Sequence, residues 1–475
     1  MTLQRPTTKI LATMGPASDS PHRIRALLQA GATAFRMNFS HGSHEEHKVR
    51  FDALRAVAKE MGRHVPIVSD LQGPKLRVGC LDGGQLTLRY GDLVEAKLGE
   101  RAGAGIIPIP HQEMFDALKT GDVIMLDDGN LRLSVAEEGK DRIVFKVEVP
   151  GLLTDKKGVN VPGRRLPIPA MTAKDERDLE FALREDTDYV ALSFVQTAED
   201  VLAAKRIIDG RAKVISKIEK PQAMEEIEAI ADASDALMVA RGDLGVELPL
   251  EEVPMAQRRI IRAARTRGKP VIVATQMLQS MVDAPTPTRA EASDTAAAVM
   301  LGADAVMLSA ESAVGRHPEA AVAIMSRIIR AASLAEDYQA DMSRAAGKPT
   351  ADSPGSAVAL SAAFAAEATH CKAIVASTNT GGTAYTIARL RPAAPILALT
   401  PEPKTARQTA LAWGVIPVLT DEQPDFEGLS HAAVEAAKGT LSLDEDDRIV
   451  LLAGMPTRRT GGTNTLKLIR IGDGA

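Results

Sequence analysis

Cysteine is scarce: the 475-residue chain contains Cys80 and Cys371 and no others. Two thiols this far apart, in no metal-ligand spacing, exclude a disulfide framework or a zinc-thiolate site as the basis of the fold. A strong excess of one charge is also missing. Charged residues make up 25% of the chain and the formal net charge is -5, so there is no broad basic field to hold nucleic acid or an acidic membrane. Any anion must therefore be met locally. No run approaches the roughly 20 apolar residues of a membrane-spanning helix. The opening MTLQRPTTKILATMGP leads into a strand-like segment without a basic leader, apolar stretch and cleavage site. The expectation is a soluble cytoplasmic protein with no nucleic-acid or membrane partner.

What is present is a recurrence. Short apolar strands ending in small, polar or charged residues alternate with helical segments: TKILATMGP (8–16), AFRMNFSHG (34–42), VPIVSDLQG (65–73), YVALSFVQ (189–196), KVISKIE (213–219), ALMVARGDL (236–244), PVIVATQML (270–278) and AVMLSAES (305–312). Eight such units predict an α/β fold closed into a (β/α)8 barrel, with chemistry at the carboxyl ends of the strands. Thr288 followed by Glu291 predicts a capping box. Between strands three and four the texture changes to period-two alternation in NLRLSV and RIVFKVEV, with turn signals at DGG, DDGN and EEGKD. This is expected to be a small β-barrel lid inserted over the barrel mouth, with an inert appendage as the plainer alternative. Past a polar linker, SRAAGKPTADSP, the segments CKAIVAST, PILALT, VIPVLT and RIVLLAG predict an open α/β domain with a mostly parallel sheet. The expected division is 1–73 with 162–340 as the barrel, 74–161 as the lid and 350–475 as the carboxyl-terminal domain.

The strand ends carry chemistry. Lys217 and Glu219 are two apart and share a side of their strand, and Asp243 follows at the end of the neighbouring one. Two carboxylates on adjacent strand ends suit Mg²⁺ or Mn²⁺, with water or substrate oxygens completing the shell. Ordinary salt bridges, Lys217 to Glu219 among them, are the structural alternative. The glycines of ARGDLG let backbone N–H groups approach a carboxylate, and Thr275 offers a hydroxyl from the next strand. On the second strand Arg36, Asn38 and Ser40 share a face by alternation. Arg36 can fork onto a phosphate or serve structure alone, and Asn38 and Ser40, with Asp70, outline a pocket for one positive charge beside it.

In their order TKILATMGPAS, RMNFSHG, ISKIEK, ARGDLGVE, VATQMLQSM, PTRAEASD and LSAESAVG resemble the pyruvate kinase family along essentially the whole chain. The resemblance implies transfer of the phosphoryl group of phosphoenolpyruvate to ADP, giving ATP and pyruvate in glycolysis. It makes Glu219 and Asp243 the ligands of Mg²⁺ or Mn²⁺, and Lys217, Arg36 and Thr275 the catalytic groups. Gly242, Asp243 and Thr275 become the cradle of the substrate carboxylate, and Asn38, Ser40, His41, Arg77 and Lys157 the nucleotide contacts. It also implies a homotetramer with a phosphorylated allosteric effector.

Most members of that family hold K⁺ with the equivalents of Asn38, Ser40, Asp70 and the Leu71 carbonyl, and carry Glu where this chain has Lys75. A smaller group has Lys there, and Leu71, Gln72, Lys75 and Val78 fit it, so K⁺ is expected to be dispensable, with the Lys75 ammonium in its place. The stretch ASTNTGGTA resembles the effector phosphate loop, with Ser377, Thr378, Asn379, Thr380, Gly382 and Thr383 as its donors; a plain helix cap is the alternative. Near the end, GMPTRRTGGTNT departs from the tryptophan and arginine pattern of members that bind fructose 1,6-bisphosphate, which points instead to a sugar monophosphate or AMP. A Mg²⁺-dependent 2-oxo acid lyase or aldolase would also use Glu219 and Asp243 but gives no role to the lid, Arg77 or Lys157. A non-catalytic phosphometabolite sensor would not need Lys217, Arg36 and both carboxylates.

Overall fold

A computed structural model describes residues 8–338, 342, 353–456 and 462–473. Most of the polar linker, and residues 457–461 within GMPTRRTGGTNT, lie outside the described residues.

All eight anticipated strands form. They are β1 (Lys9–Thr13), β2 (Ala34–Asn38), β3 (Ile67–Asp70), β4 (Tyr189–Leu192), β5 (Lys213–Ile218), β6 (Ala236–Ala240), β7 (Val271–Ala274) and β8 (Ala305–Leu308), and together they close into a parallel barrel in which β1 pairs with both β2 and β8. Alternation explains why the strands are apolar on both faces. Leu11, Val68, Ile215, Met238, Ile272 and Met307 fill the interior, while residues such as Ile10, Ile67, Val214 and Val273 meet the helices outside. The helix starts are written locally. Ser43 with Glu46, Thr172 with Asp175, Thr197 with Asp200 and Thr288 with Glu291 each form a reciprocal capping box.

Between β3 and β4 the chain builds a body with its own core around Ile124, Leu133 and Phe145. Its strands form a six-stranded sheet, in the order Val159–Asn160, Val123–Leu126, Leu131–Glu137, Arg142–Val149, Leu93–Leu98, Ile107–Ile109, beside a two-stranded ribbon of Gln85–Leu88 with Gly151–Thr154. The hydrogen bonding therefore does not close it into the small barrel expected. Pairing stops at one edge with Ile107–Ile109, a three-residue strand centred on Pro108, and at the other with the two-residue Val159–Asn160. The segments DDGN and EEGKD do connect antiparallel neighbours.

The carboxyl-terminal sheet has the order Val415–Leu419, Ile396–Thr400, Ala373–Ser377, Arg448–Gly454, Thr463–Arg470. The last of these, TNTLKLIR, runs antiparallel and was not anticipated. Its side chains are mostly half-exposed, as on an edge strand, so it lacks the apolar run that marks the other four. Helix Pro403–Thr409 lies against the amino-terminal end of the barrel: Arg407 bonds Asp188, the Gln408 carbonyl accepts from the Tyr189 hydroxyl, and Leu411 closes the barrel interior.

Candidate active site

At the opposite end of the barrel the strand ends gather charge. In β2, Phe35 and Met37 are buried whereas Arg36 and Asn38 turn to the mouth. Register sets Asn38 beside Asp70 at the end of β3. The Nε of Arg36 donates to Asp70 Oδ2 at 2.6 Å and its Nη1 to Thr13 Oγ1 at 3.3 Å. From β5, the Nζ of Lys217 lies 3.2 Å from Asp70 Oδ1 and 2.9 Å from Glu219 Oε1, and donates to Ser193 Oγ at 2.6 Å. The Ser193 hydroxyl in turn donates to the Leu71 carbonyl at 2.7 Å. Glu219 Oε2 accepts from the backbone N–H of Phe194 at 2.8 Å. Asp70 and Glu219 are each 1% exposed, so two carboxylates and two cations share a space nearly closed to water.

Their acidities follow from that enclosure. Burial alone would raise the Asp70 carboxyl, but Lys217 and Arg36 outweigh it and hold it below the usual range. Burial alone would likewise lower Lys217, yet Asp70 and Glu219 hold it firmly protonated, above the ordinary lysine value. Glu219 is pushed up to about 7, chiefly by burial, with the like charge of Asp243 adding to it and Lys217 opposing. A carboxylate strained in this way is one whose charged form an added cation would favour.

The glycines of ARGDLG lie in a helical turn at the end of β6. ARGDLGVE continues into a short helix, Arg241–Glu247, and the Gly242 N–H already donates to Thr275 Oγ1 at 2.7 Å. A Cβ at position 242 would sit 3.3 Å from that oxygen, so a larger residue would press on the Thr275 side chain. Thr275 hydrogen-bonds the Ala274 carbonyl in turn. Thr275 and Gln276 have φ of 65° and 54°, a conformation that costs about 1–3 kcal/mol per residue. The guanidinium of Arg241 holds them there, donating to both carbonyls at 2.7 and 3.2 Å while pairing with Asp294 at 2.6 Å. Asp243 faces a cleft that it lines together with Lys75, Phe194 and Lys220.

The donor set fits a hard divalent cation. Burial raises Glu219 and the like charge of Asp243 adds to it, and no group of three or more His, Cys, Asp or Glu side chains suited to a metal occurs among the described residues. An ion held here would take two protein carboxylates and fill its other positions with water and substrate oxygens.

Other expected residues are placed as follows. Asn38 Oδ1 accepts from the Ser40 N–H, and the His41 carbonyl is hydrogen-bonded to the His47 ring, so these residues form the turn after β2. Arg77 bridges to Gly158 and donates to the Lys156 carbonyl, which sets it beside Lys157 at the base of the insertion; Lys157 itself pairs with Asp127 at 2.6 Å. Lys75 is the exception. Its ammonium faces Asp128 at 3.6 Å, and no hydrogen bond or ion pair among the described residues joins it to Asn38, Ser40, Asp70 or Leu71. The reason is geometric: at Gly73, with φ of 70°, and Pro74 the chain turns out of the barrel, while both Asp70 oxygens are taken by Arg36 and Lys217. Sequence reasoning passed over Ser193, Arg241 and Glu247. Ser193 carried the same signal as the others, a polar residue just past an apolar strand.

In the carboxyl-terminal domain Ser377, Thr378, Asn379, Thr380, Gly382 and Thr383 all line one cavity of about 400 Å³. The Gly381 N–H is held by the Thr378 hydroxyl at φ of 90°, which gives the loop its turn. Asp421 and Glu422 also line the cavity, and no lysine or arginine does so among the described residues.

Comparison with known proteins agrees with this layout. Residues 5–322 match the family described as pyruvate kinase, barrel domain, and residues 356–469 match pyruvate kinase, alpha/beta domain. A pyruvate kinase of Agrobacterium vitis is 48% identical over 466 residues, covering 98% of each chain. One from Methylorubrum extorquens is 44% identical over 464 residues, covering 97% of this chain and 96% of its own. The crystal structure of a pyruvate kinase from Cryptosporidium parvum superposes with a TM-score of 0.92 at 33% identity, over 98% of this chain and 96% of that one.

Proposed function

This chain belongs to the pyruvate kinase family and is a phosphotransferase, and on that premise we propose how its own residues move a phosphoryl group from phosphoenolpyruvate to ADP. The observation that carries the reading is the convergence of Arg36 and Lys217 on Asp70 and Glu219 at the barrel mouth. Phosphoryl transfer asks mainly for positioning and for positive charge at the equatorial oxygens of the migrating group. Arg36 is anchored by Asp70 and Thr13, which leaves its remaining N–H donors for a phosphate. Lys217, protonated and locked by three partners, supplies a fixed ammonium. Preorganisation of this kind costs no reorganisation at the moment of reaction.

Glu219 and Asp243 would hold Mg²⁺ or Mn²⁺, which when bound adds positive charge next to the transferring group. Gly242, Asp243 and Thr275 form the carboxylate end of the substrate site. The Thr275 hydroxyl is committed to the Ala274 carbonyl, so its part in protonating the enolate is to turn toward it or to orient a water. Arg77 and Lys157 meet the nucleotide, with Asn38, Ser40 and His41 as its further contacts. A coupled assay for pyruvate formed from phosphoenolpyruvate and ADP tests the reading and separates it from a 2-oxo acid lyase or aldolase, which would form none from that pair.

The raised Glu219 has a consequence for pH. Its value in the folded, metal-free protein, about 7, lies above the ordinary 4.5, so its contribution to stability is present below 4.5 and lost as pH rises through about 7. A divalent ion needs the deprotonated form. Mn²⁺ affinity, read by electron paramagnetic resonance without substrates, is therefore expected to climb with pH up to about 7 and level off above it. Affinity independent of pH across that range would contradict the assignment.

The finer proposal on monovalent cations requires the Lys75 ammonium to exchange Asp128 for the oxygens of Asn38, Ser40 and Asp70 when substrates bind. Full turnover is then expected in a tetramethylammonium buffer, and Lys75→Glu should create a K⁺ requirement. Near-zero wild-type rates restored by K⁺ would refute it. The same proposal takes the loop Ser377–Thr383 as the seat of a phosphorylated activator and the assembly as a tetramer. Phosphoenolpyruvate saturation curves with and without a sugar monophosphate or AMP, and light scattering, test these two points.

A further inference from the structure

Glu247 belongs to no part of the site described so far, yet it touches three pieces of it. It is the last residue of the helix Arg241–Glu247, four residues and so about one turn beyond Asp243. It is 5% exposed. Its Oε1 accepts from Lys220 Nζ at 2.6 Å and from Asn160 Nδ2 at 2.8 Å. Lys220 follows Glu219 directly, and its ammonium lies 5.8 Å from the centre of the Phe194 ring, whose backbone N–H bonds Glu219. Asn160 sits in the strand by which the insertion returns to the barrel, three residues past Lys157, and is 9% exposed. A single carboxylate oxygen therefore joins the segment bearing Asp243, the segment bearing Glu219 and the segment bearing Lys157.

Burying this group is costly unless it does something. Glu247 Oε2 is buried and has no hydrogen-bond partner among the described residues, so half of the carboxylate's accepting capacity is unused while Oε1 takes both donors. A carboxylate chosen only for stability would be expected to use both oxygens. The two donors come from different parts of the fold: Lys220 from the barrel wall, Asn160 from the return strand of the insertion. The outgoing connection has its own tether, from the Gly73 N–H to Asp175 at 3.0 Å. The insertion is thus tied to the barrel on both of its connections, and Glu247 supplies the tie on the side of Lys157.

We propose that Glu247 is a positioning residue: through Asn160 it sets the rest position of the inserted body over the barrel mouth, and through Lys220 it fixes the segments carrying Glu219 and Asp243. The proposal rests on reading Arg77 and Lys157 as nucleotide contacts. Lys157→Met is the control for that reading, and amide exchange reads the tie without reference to ADP.

The test uses the full-length protein. Asn160→Ala removes only the tie to the insertion. It is expected to speed amide exchange at Val159–Val161 and raise the KM for ADP about tenfold, as for loss of a hydrogen bond to a charged group, with Mn²⁺ affinity by paramagnetic resonance unchanged. Glu247→Ala should raise the KM for ADP and weaken Mn²⁺ binding together, and adding Asn160→Ala to it should raise that KM no further, the signature of a shared contact. Glu247→Gln retains an acceptor for Asn160 and should bring the KM for ADP back near wild type. If Glu247→Ala does not fold, Asn160→Ala and Glu247→Gln carry the test. Unchanged exchange in Asn160→Ala, or effects of the two substitutions that multiply, overturns the proposal. Faster exchange in Asn160→Ala, with Lys157→Met leaving the KM for ADP untouched, supports the tie and removes the nucleotide reading instead.

Discussion

Replacing Lys217 by methionine is expected to lower kcat for ATP synthesis by about 10³-fold or more, on the scale of removing one fixed cation or oxyanion donor from a phosphoryl-transfer site. Methionine keeps most of the unbranched stem and removes the charge together with the N–H donors. The ammonium it replaces is held within 3.2 Å of Asp70 and Glu219 and donates to Ser193, so the substitution removes a cation fixed in one position. The loss should fall on kcat more than on the KM for ADP, because the charge is needed where the phosphoryl group develops its transition state. A thermal melt of the same variant separates chemistry from folding, since Asp70 keeps Arg36 as a partner. A variant that melts normally and retains a tenth of the wild-type kcat would contradict the assignment.

Asp304→Asn is expected to destabilise the protein by about 3–5 kcal/mol, the cost of leaving a buried cation without its counter-charge. Asp304, just before β8, accepts from Arg391 at 2.9 and 3.0 Å and from the backbone N–H groups of Trp413 and Val271. Arg391 is 3% exposed and lies over the Trp413 ring. Arg265 stands close by, its guanidinium drawn down to about 10 by burial and by Arg391. Neutralising Asp304 therefore leaves two arginines at the joint between the barrel and the carboxyl-terminal domain without an anion. The amide would also present N–H groups where acceptors are required. Urea unfolding of the variant should show the shift, while the KM for phosphoenolpyruvate under folding conditions stays near wild type, because the active site lies at the other end of the barrel. A shift below 1 kcal/mol would mean that the joint carries little of the stability.

The barrel was legible because each of its strands is buried on both faces and reads as an apolar run, from KILAT to AVML. The same logic hid Thr463–Arg470, whose edge position leaves it polar. Lys217, Glu219 and Arg36 were legible because period-two alternation decides which side chains share a face, and the structure brings the first two to 2.9 Å. The helical turn at Arg241–Glu247 was not, since two glycines in seven residues give helix formation little local support. There the Arg241 guanidinium, anchored to Asp294 and to the Thr275 carbonyl, overrides local propensity. The place of Lys75 was not legible either, because spacing along a chain says nothing of which way it leaves the barrel after Gly73 and Pro74. Glu247 carried no signal at all: its partners come from 27 and 87 positions away.

The cations Arg36 and Lys217 and the carboxylates Glu219 and Asp243 are proposed to meet at the phosphoryl group, and phosphorus magnetic resonance of phosphoenolpyruvate on the Mn²⁺-loaded protein reads that meeting. The result expected is strong paramagnetic broadening of the phosphorus signal, lost in Glu219→Gln and in Asp243→Asn. Broadening that survives in both variants would place the metal and the phosphate elsewhere and contradict the account.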